Sequence, residues 1–212
     1  MHLYGYFRSS AAYRVRIALA LKGMPVEHTA LPLRLNAQRS EQYLKINPFG
    51  LVPTLEHNNR HFWQSLAIIE YLEEIQPSPH LLPRPTRDRA FVRALAQSIA
   101  CDIHPLNNLR VLRYLKDELG VDSQRRDQWY AHWVSSGLSA LESVLSTDRR
   151  VGTFCYGESP GLVDICLVPQ VYNAERVKLD LSVYPTIARI VAAARDLPAF
   201  QVADPERQPD AE

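Results

Sequence analysis

Four prolines in nine residues, Pro77, Pro79, Pro83 and Pro85 within "QPSPHLLPRPT", divide the chain into two stretches of different hydrophobic period. Proline removes a backbone donor and clashes with the preceding helical turn, so this density halts regular structure and stiffens a connection. Ahead of it, short runs alternate in type. "MHLYGYF" reads as a strand and "SSAAYRVRIALALKG" as a helix, stopped by Lys22 in its last turn, Gly23 just past it and Pro25 beyond. "PVEHTAL" is a second strand and "RSEQYLKI" a short helix closed by Asn47-Pro48. "VPTLEH" and "RHFWQ" flank His57, Asn58 and Asn59, which suit a tight hairpin turn. "SLAIIEYLEEI" completes the series as a helix with Ser65 at its N-cap and Leu66, Ile69, Leu72 and Ile75 on one face. A βαβ unit followed by a ββα unit is the order of a thioredoxin-like α/β domain. The expected boundaries are residues 1–80 for that domain, 81–86 for the linker and 87–212 for an all-helical second domain.

Everything after the linker has helical period. Thr86 is placed to cap a long run from Arg87, which Pro105 must bend or break because its ring clashes with the carbonyl of Cys101. Between Asp122 and Leu145, Trp129, Trp133, Gly137, Leu141 and Val144 form a stripe. "GLVDICLVPQVYNAERV" is apolar nearly all round and is expected at the centre of the domain, followed by "YPTIARIVAAARDLPAF". The last stretch, "ADPERQPDAE", has the composition of a disordered tail.

With 24 basic and 23 acidic residues the net charge is +1, and no basic block stands out, which argues against nucleic-acid or anionic-membrane partners. No apolar run approaches the ~20 residues of a membrane span, and the N-terminus has no signal-peptide pattern. Cys101, Cys155 and Cys166 are few, odd in number and not in a CxxC pair, as expected of a reduced, cytoplasmic protein. The seven histidines show no metal-ligand spacing, so no metal site is expected.

Three places have the chemistry of a ligand site. Ser9 and Ser10 stand in the turn between the first strand and the first helix, where a serine caps the helix and where helix N–H groups face a bound anion. A hydroxyl there that donates to a sulfur favours thiolate over thiol. Lowering a thiol pKa by ~2 units requires ~2.7 kcal/mol, within reach of a charge-assisted hydrogen bond plus a helix terminus. No cysteine lies nearby in the chain, so such a thiol has to be brought in. Val52 precedes Pro53 at the entry to a strand, where a cis peptide would turn the chain and expose the N–H and C=O of Val52. Gln64 and Ser65 open the third helix, whose terminus can hold a carboxylate.

In this order the pieces resemble a cytosolic glutathione transferase, and "SSAAYRVRIALALKG", "NPFGLVPTLE", "QSLAIIEYLEE", "CDIHPLNNLRVLRYL" and "LVPQVYNAERVKLDLSVYPTI" resemble its zeta class, which includes bacterial maleylacetoacetate and maleylpyruvate isomerases. The resemblance runs from about Met1 to Phe200. It implies glutathione as cofactor and Ser9 and Ser10 as the catalytic pair, the first activating the thiol. By the same resemblance Val52 and Pro53 hold the cysteinyl group, Gln64 and Ser65 hold the γ-glutamyl carboxylate, and His104 and Asn108 line the site from the helical domain. Arg8, Arg110 and Arg176 fall on positions that bind the acidic substrate, a small unsaturated dicarboxylate, which guanidinium forks grip in two-pronged fashion. Arg14 and Arg16 are expected on the surface or in a packing or dimer role, and the class implies a homodimer.

The resemblance also implies the reaction. Glutathione thiolate adds to the alkene, the resulting single bond rotates, and elimination returns the trans isomer with the cofactor intact. The chain departs from the class at Ala11, where a cysteine is usual, and at Gly161, where a threonine commonly begins a capping box with the residue at Asp164. Two other readings stay open. One is a transferase that conjugates or dehalogenates small electrophiles. The other is a non-catalytic interaction module of the same fold. Maleylacetoacetate is favoured over maleylpyruvate only as the commoner assignment for such sequences.

Overall fold

The structure is a computed structural model that describes residues 1–211. The chain forms two compact units, one of residues 1–81 with the stretch from Asp196 onward, the other of residues 82–195.

The first unit starts with β1 (His2–Gly5), α1 (Ser10–Leu21), β2 (Glu27–Ala30), α2 (Glu41–Ile46), β3 (Thr54–His57), β4 (Arg60–Trp63) and α3 (Ser65–Ile75). The sheet order is β2-β1-β3-β4, with β1 and β2 parallel and the other two pairings antiparallel. The expected βαβ and ββα units are both present. Asn58 and Asn59 take left-handed φ angles of 51° and 60°, which lets a two-residue turn match the strand twist. Leu3, Phe7, Tyr13, Ile17 and Leu55 fill the core beneath α1 and α3.

Gly23 ends α1 as expected, with φ +61°. Its N–H donates to the Ala20 carbonyl and that of Met24 to Leu19, the paired bonds of a left-handed helix stop. Lys22 is buried and donates to Glu73 Oε2 at 2.7 Å and to the carbonyls of Gln76 and Pro79. At α3 two details differ from the sequence reading. Gln64, with φ +71°, holds the cap position and Ser65 is the first helical residue. The buried face runs through Ser65, Ile68, Ile69 and Leu72, whereas Ile75 is exposed. The spacing is that of one helical stripe, but its first member is polar, so hydrophobicity alone displaces the face.

The second unit contains α4 (Thr86–Gln97), a π-helical turn (Ser98–Ile103), a 3₁₀ turn (His104–Asn107), α5 (Leu109–Asp117), α6 (Ser123–Leu145), α7 (Leu162–Arg176) and α8 (Pro185–Arg195). Thr86 is the first residue of α4 and not its cap; Pro85 occupies the cap position. The break expected at Pro105 is present, and the helix already widens into a π-helical turn seven residues earlier, at Ser98. A Cβ on Gly137 would collide with the side chain of Ile103, so the glycine lets α6 approach the π turn. The buried stripe of α6 is Val134, Leu138, Leu141 and Leu145. Val144, expected in the stripe, is exposed, and Trp129 and Trp133 are half-buried at its edge. Leu162 through Val171 of α7 are all buried, as its apolar circumference suggests. Asp164 Oδ2 accepts from the Gly161 N–H and Oδ1 from the Cys155 N–H, both at 2.8 Å, so the capping function survives the glycine.

The sequence pattern places residues 87–212 in the helical domain and predicts disorder for the last ten. The structure departs on both points. α9 (Pro198–Ala203) packs on α1, and Pro205–Arg207 forms a 3₁₀ turn capped by Asp204. Two hydrogen bonds tie this stretch to the rest of the first unit, and a third joins their partners Arg16 and Phe7 to each other. Arg16, buried, donates from Nε to the Ala203 carbonyl and from Nη2 to the Phe7 carbonyl, each at 3.0 Å, and Asp210 Oδ2 accepts from the Phe7 N–H at 3.0 Å. Composition gives no sign of the two bonds to this stretch because they join residues about two hundred positions apart.

Candidate active site

The strand register gathers three of the expected segments. Tyr4 of β1 pairs with Thr54 of β3, which pairs with Trp63 of β4. The turn that follows β1, the Val52-Pro53 pair that leads into β3 and the Gln64-Ser65 pair that follows β4 therefore lie at one end of the sheet. Antiparallel pairing of β3 to its neighbours is the reason, since it sets the start of that strand beside the ends of the other two.

Ser9 is the N-cap of α1, with its Oγ accepting from the Ala12 N–H at 3.2 Å. Its hydroxyl is half-buried and, having spent an oxygen lone pair on the cap, retains its proton to donate. Ser10 is the first helical residue and is buried. Capping and thiolate stabilisation are thus compatible at Ser9. Arg8 precedes them, half-buried, with its guanidinium 4.8 Å from the Phe7 ring centroid. Ala11 follows, so no thiol of the chain lies in this turn.

The Val52-Pro53 peptide is cis. Among the described residues, none takes a hydrogen bond from the Val52 N–H or gives one to its C=O. Both flanks are held. Tyr43 donates its hydroxyl proton to the Leu51 carbonyl at 2.7 Å, and Asn47 Nδ2 donates to the same carbonyl at 2.9 Å and to Thr54 Oγ1 at 3.1 Å. With the tyrosine proton committed to Leu51, Thr54 is the donor in its 2.8 Å bond to Tyr43 Oη. Burial pushes the Tyr43 phenol upward, which keeps it the protonated donor this chain of bonds requires. Neither Tyr43 nor Asn47 stood out in the sequence; "NP" signals a turn, but not that Asn47 points inward.

At the start of α3, Ser65 is buried and its Oγ accepts from Arg14 Nη1 at 3.3 Å. Gln64 is exposed beside it. Arg14 and Arg16, expected on the surface or in packing, are both in the core. Their guanidiniums serve the two ends of the site's framework, Ser65 and Phe7. Helical period places them among apolar neighbours, but a charge in that stripe gives no indication of its partner.

In the second unit His104 opens the 3₁₀ turn and Asn108 caps α5, its Oδ1 accepting from the Arg110 N–H at 3.1 Å. The turn is anchored by Trp129, whose indole N–H donates to the Leu106 carbonyl at 2.8 Å. Arg110 is exposed in the first turn of α5 and Arg176 is exposed in the last turn of α7. Arg176 lies near Tyr130 of α6, whose phenol is pushed up to about 12 by burial although the guanidinium opposes that shift. Asn107, passed over in the sequence, is buried with neither side-chain oxygen nor nitrogen partnered among the described residues. No group of three or more His, Cys, Asp or Glu suited to a metal occurs among the described residues. No helix among them is long and apolar enough to cross a membrane.

Residues 1–74 match the family described as glutathione S-transferase, N-terminal domain. The chain is 50% identical over 211 residues to a probable maleylacetoacetate isomerase of Vibrio cholerae, covering 99% of this chain and 97% of that one. It is 43% identical, over the whole of both chains and with a TM-score of 0.98, to a solved holo maleyl pyruvate isomerase described as a bacterial zeta-class glutathione transferase. The chain belongs to the zeta-class glutathione transferases. A Methylobacterium extorquens maleylacetoacetate isomerase solved with malonate and glutathione has the same TM-score of 0.98 at 39% identity, again over both whole chains. The zeta-class membership accounts for the order of motifs at the end of the sheet.

Proposed function

We propose that this transferase is a glutathione-dependent isomerase that converts a small cis-unsaturated diacid to its trans isomer, with maleylacetoacetate as the preferred substrate and maleylpyruvate as the rival. The observation that carries the reading is the register Tyr4–Thr54–Trp63, which brings a capping serine, an unpaired backbone segment and a helix N-terminus to one end of the sheet. The first unit fits the tripeptide by its own chemistry. Val52 offers an N–H and a C=O for another backbone, the α3 terminus with Ser65 and Gln64 suits a carboxylate, and the Ser9 hydroxyl retains a proton for sulfur.

Bound glutathione would supply the nucleophilic thiolate. The chain's residues supply the rest. Ser9 holds the sulfur in its ionised form, with Ser10 buried behind it, and Val52, Pro53, Gln64 and Ser65 fix the tripeptide. His104 and Asn108 extend that binding, and Arg8, Arg110 and Arg176 pair with the substrate carboxylates and offset the negative charge that develops during reaction. The M. extorquens relative, solved with malonate and glutathione bound, supports a small dicarboxylate. We also propose a cytoplasmic homodimer, as the class implies.

The test is an absorbance assay of cis-to-trans isomerisation of both diacids, with and without glutathione, on the wild type and Ser9→Ala. Turnover should require glutathione and fall by about 10²-fold in the variant. Bound glutathione without turnover of either diacid would overturn the isomerase reading in favour of a conjugating transferase.

A further inference from the structure

We propose that Asp210 and Arg16 are positioning residues for the Arg8-Ser9-Ser10 turn, which they hold by gripping both backbone polar groups of Phe7. The inference rests on the assignment of Ser9 above and concerns what keeps that serine in place.

The Ser9 N–H donates to the Tyr6 carbonyl at 2.9 Å, so Tyr6 to Ser9 form a β-turn with Phe7 and Arg8 at its two central positions. That bond does not engage the polar groups of the peptide between Phe7 and Arg8. The common turn types differ chiefly in which way this central peptide faces, and the reversed orientation would put Arg8 at a positive φ, so the bonds to Phe7 bear directly on Arg8 and, through the next peptide, on Ser9. Here Arg16 Nη2 donates to the Phe7 carbonyl, the oxygen of that central peptide. Asp210 accepts from the Phe7 N–H on the other side. The second arm of Arg16, Nε to the Ala203 carbonyl, fastens the same guanidinium to the segment that carries Asp210. The turn is therefore clamped by Arg16 of α1 and by a C-terminal segment that contributes nothing else to the site.

Packing on one flank of this turn is incomplete. A cavity of about 90 Å³ lies between β1, β2 and this segment, lined by Tyr6, Phe7, Arg16, His28, Gln208 and Asp210 among others. On that flank, hydrogen bonds of fixed direction add to the burial of Phe7 in holding the backbone. Each of the three is charge-assisted.

The experiment compares wild type with Asp210→Ala, Asp210→Asn, Asp210→Glu and Ser9→Ala by three readouts. These are amide exchange of residues 7–10 in the glutathione-free protein, the thiolate fraction of bound glutathione from its ultraviolet absorbance, and kcat against glutathione KM. Asp210→Ala should speed exchange at Phe7 to Ser10, lower the thiolate fraction and reduce kcat about tenfold, with KM changed less than about twofold. Asp210→Asn, whose amide oxygen still accepts from Phe7, should restore most of each. If the alanine variant fails to fold, Asp210→Glu keeps charge and acceptor but moves the acceptor by a methylene, and should show the same losses in milder form. Wild-type exchange and thiolate fraction in Asp210→Ala and Asp210→Glu, or an asparagine variant as impaired as the alanine one, would overturn the proposal. Ser9→Ala separates the two levels of argument: if it loses thiolate and turnover while Asp210→Ala loses neither, only the positioning role falls. If Ser9→Ala retains both, the assignment of Ser9 falls, and amide exchange alone decides whether Asp210 holds the turn.

Discussion

Arg14 Nη1 lies 3.3 Å from Ser65 Oγ, so a guanidinium at 1% exposure stands beneath the first residue of α3. A fixed positive charge there adds to the partial charge of the helix terminus and strengthens the place where a carboxylate would dock. Arg14→Met should weaken glutathione binding about tenfold, the equivalent of ~1.4 kcal/mol, while Arg14→Lys retains part of it. Titration calorimetry reads this directly. Equal affinity in all three proteins would remove Arg14 from the binding account.

Tyr43 and Asn47 brace the peptides around Val52. Tyr43→Phe removes one donor to the Leu51 carbonyl and the acceptor of the Thr54 hydroxyl, and should cost about 1–2 kcal/mol in urea unfolding. Asn47→Ala should cost more. It removes two donated bonds and the acceptor for the Phe49 N–H.

In the second unit, Asp164 satisfies two backbone donors from a fully buried position, and burial pushes its carboxyl upward even though those bonds oppose the shift. Asp164→Ala orphans the N–H groups of Cys155 and Gly161. The expected loss is about 2–4 kcal/mol, seen as a lower midpoint in thermal denaturation. A midpoint unchanged from wild type would contradict this.

Asp148 should shape the acid limb of the stability curve. Side-chain and backbone hydrogen bonds from Arg150 hold its pKa at about 2, below its ordinary 3.8. A depressed folded-state pKa means the folded protein binds this proton less readily than the unfolded chain. The contribution is complete above pH 3.8 and is lost as pH falls toward 2. Asp148→Asn should therefore flatten that part of the curve and leave its slope above neutrality unchanged, as measured by urea midpoints across pH.

Phe49 and Trp63 lie with ring centroids 6.0 Å apart, at 58% and 39% exposure, an apolar pair on the first unit that a second copy can cover. Phe49→Glu should shift the mass by light scattering from dimer toward monomer at micromolar concentration. A wild-type monomer would dispose of the dimer proposal.

The element order of the first unit, its hairpin asparagines, the Gly23 stop, the break near Pro105 and the buried length of α7 were all legible in the sequence, because each follows from dihedral preference or hydrophobic period within a few residues. Ser9, Val52-Pro53 and Gln64-Ser65 were legible as candidates for the same reason: they sit at element ends, and element ends can be read locally. Their gathering at one end of the sheet was settled by strand register, which no single segment contains. The same limit explains the misplacements. Ser65 disguises the first turn of α3's buried face, and Val144 fits the α6 stripe by spacing although the core lies one residue further round. Arg14, Arg16 and Asp210 show it most clearly. A buried charge is tolerable only where partners meet it, and those partners, Ser65, Phe7 and Ala203, are brought within 3.3 Å by the tertiary fold alone.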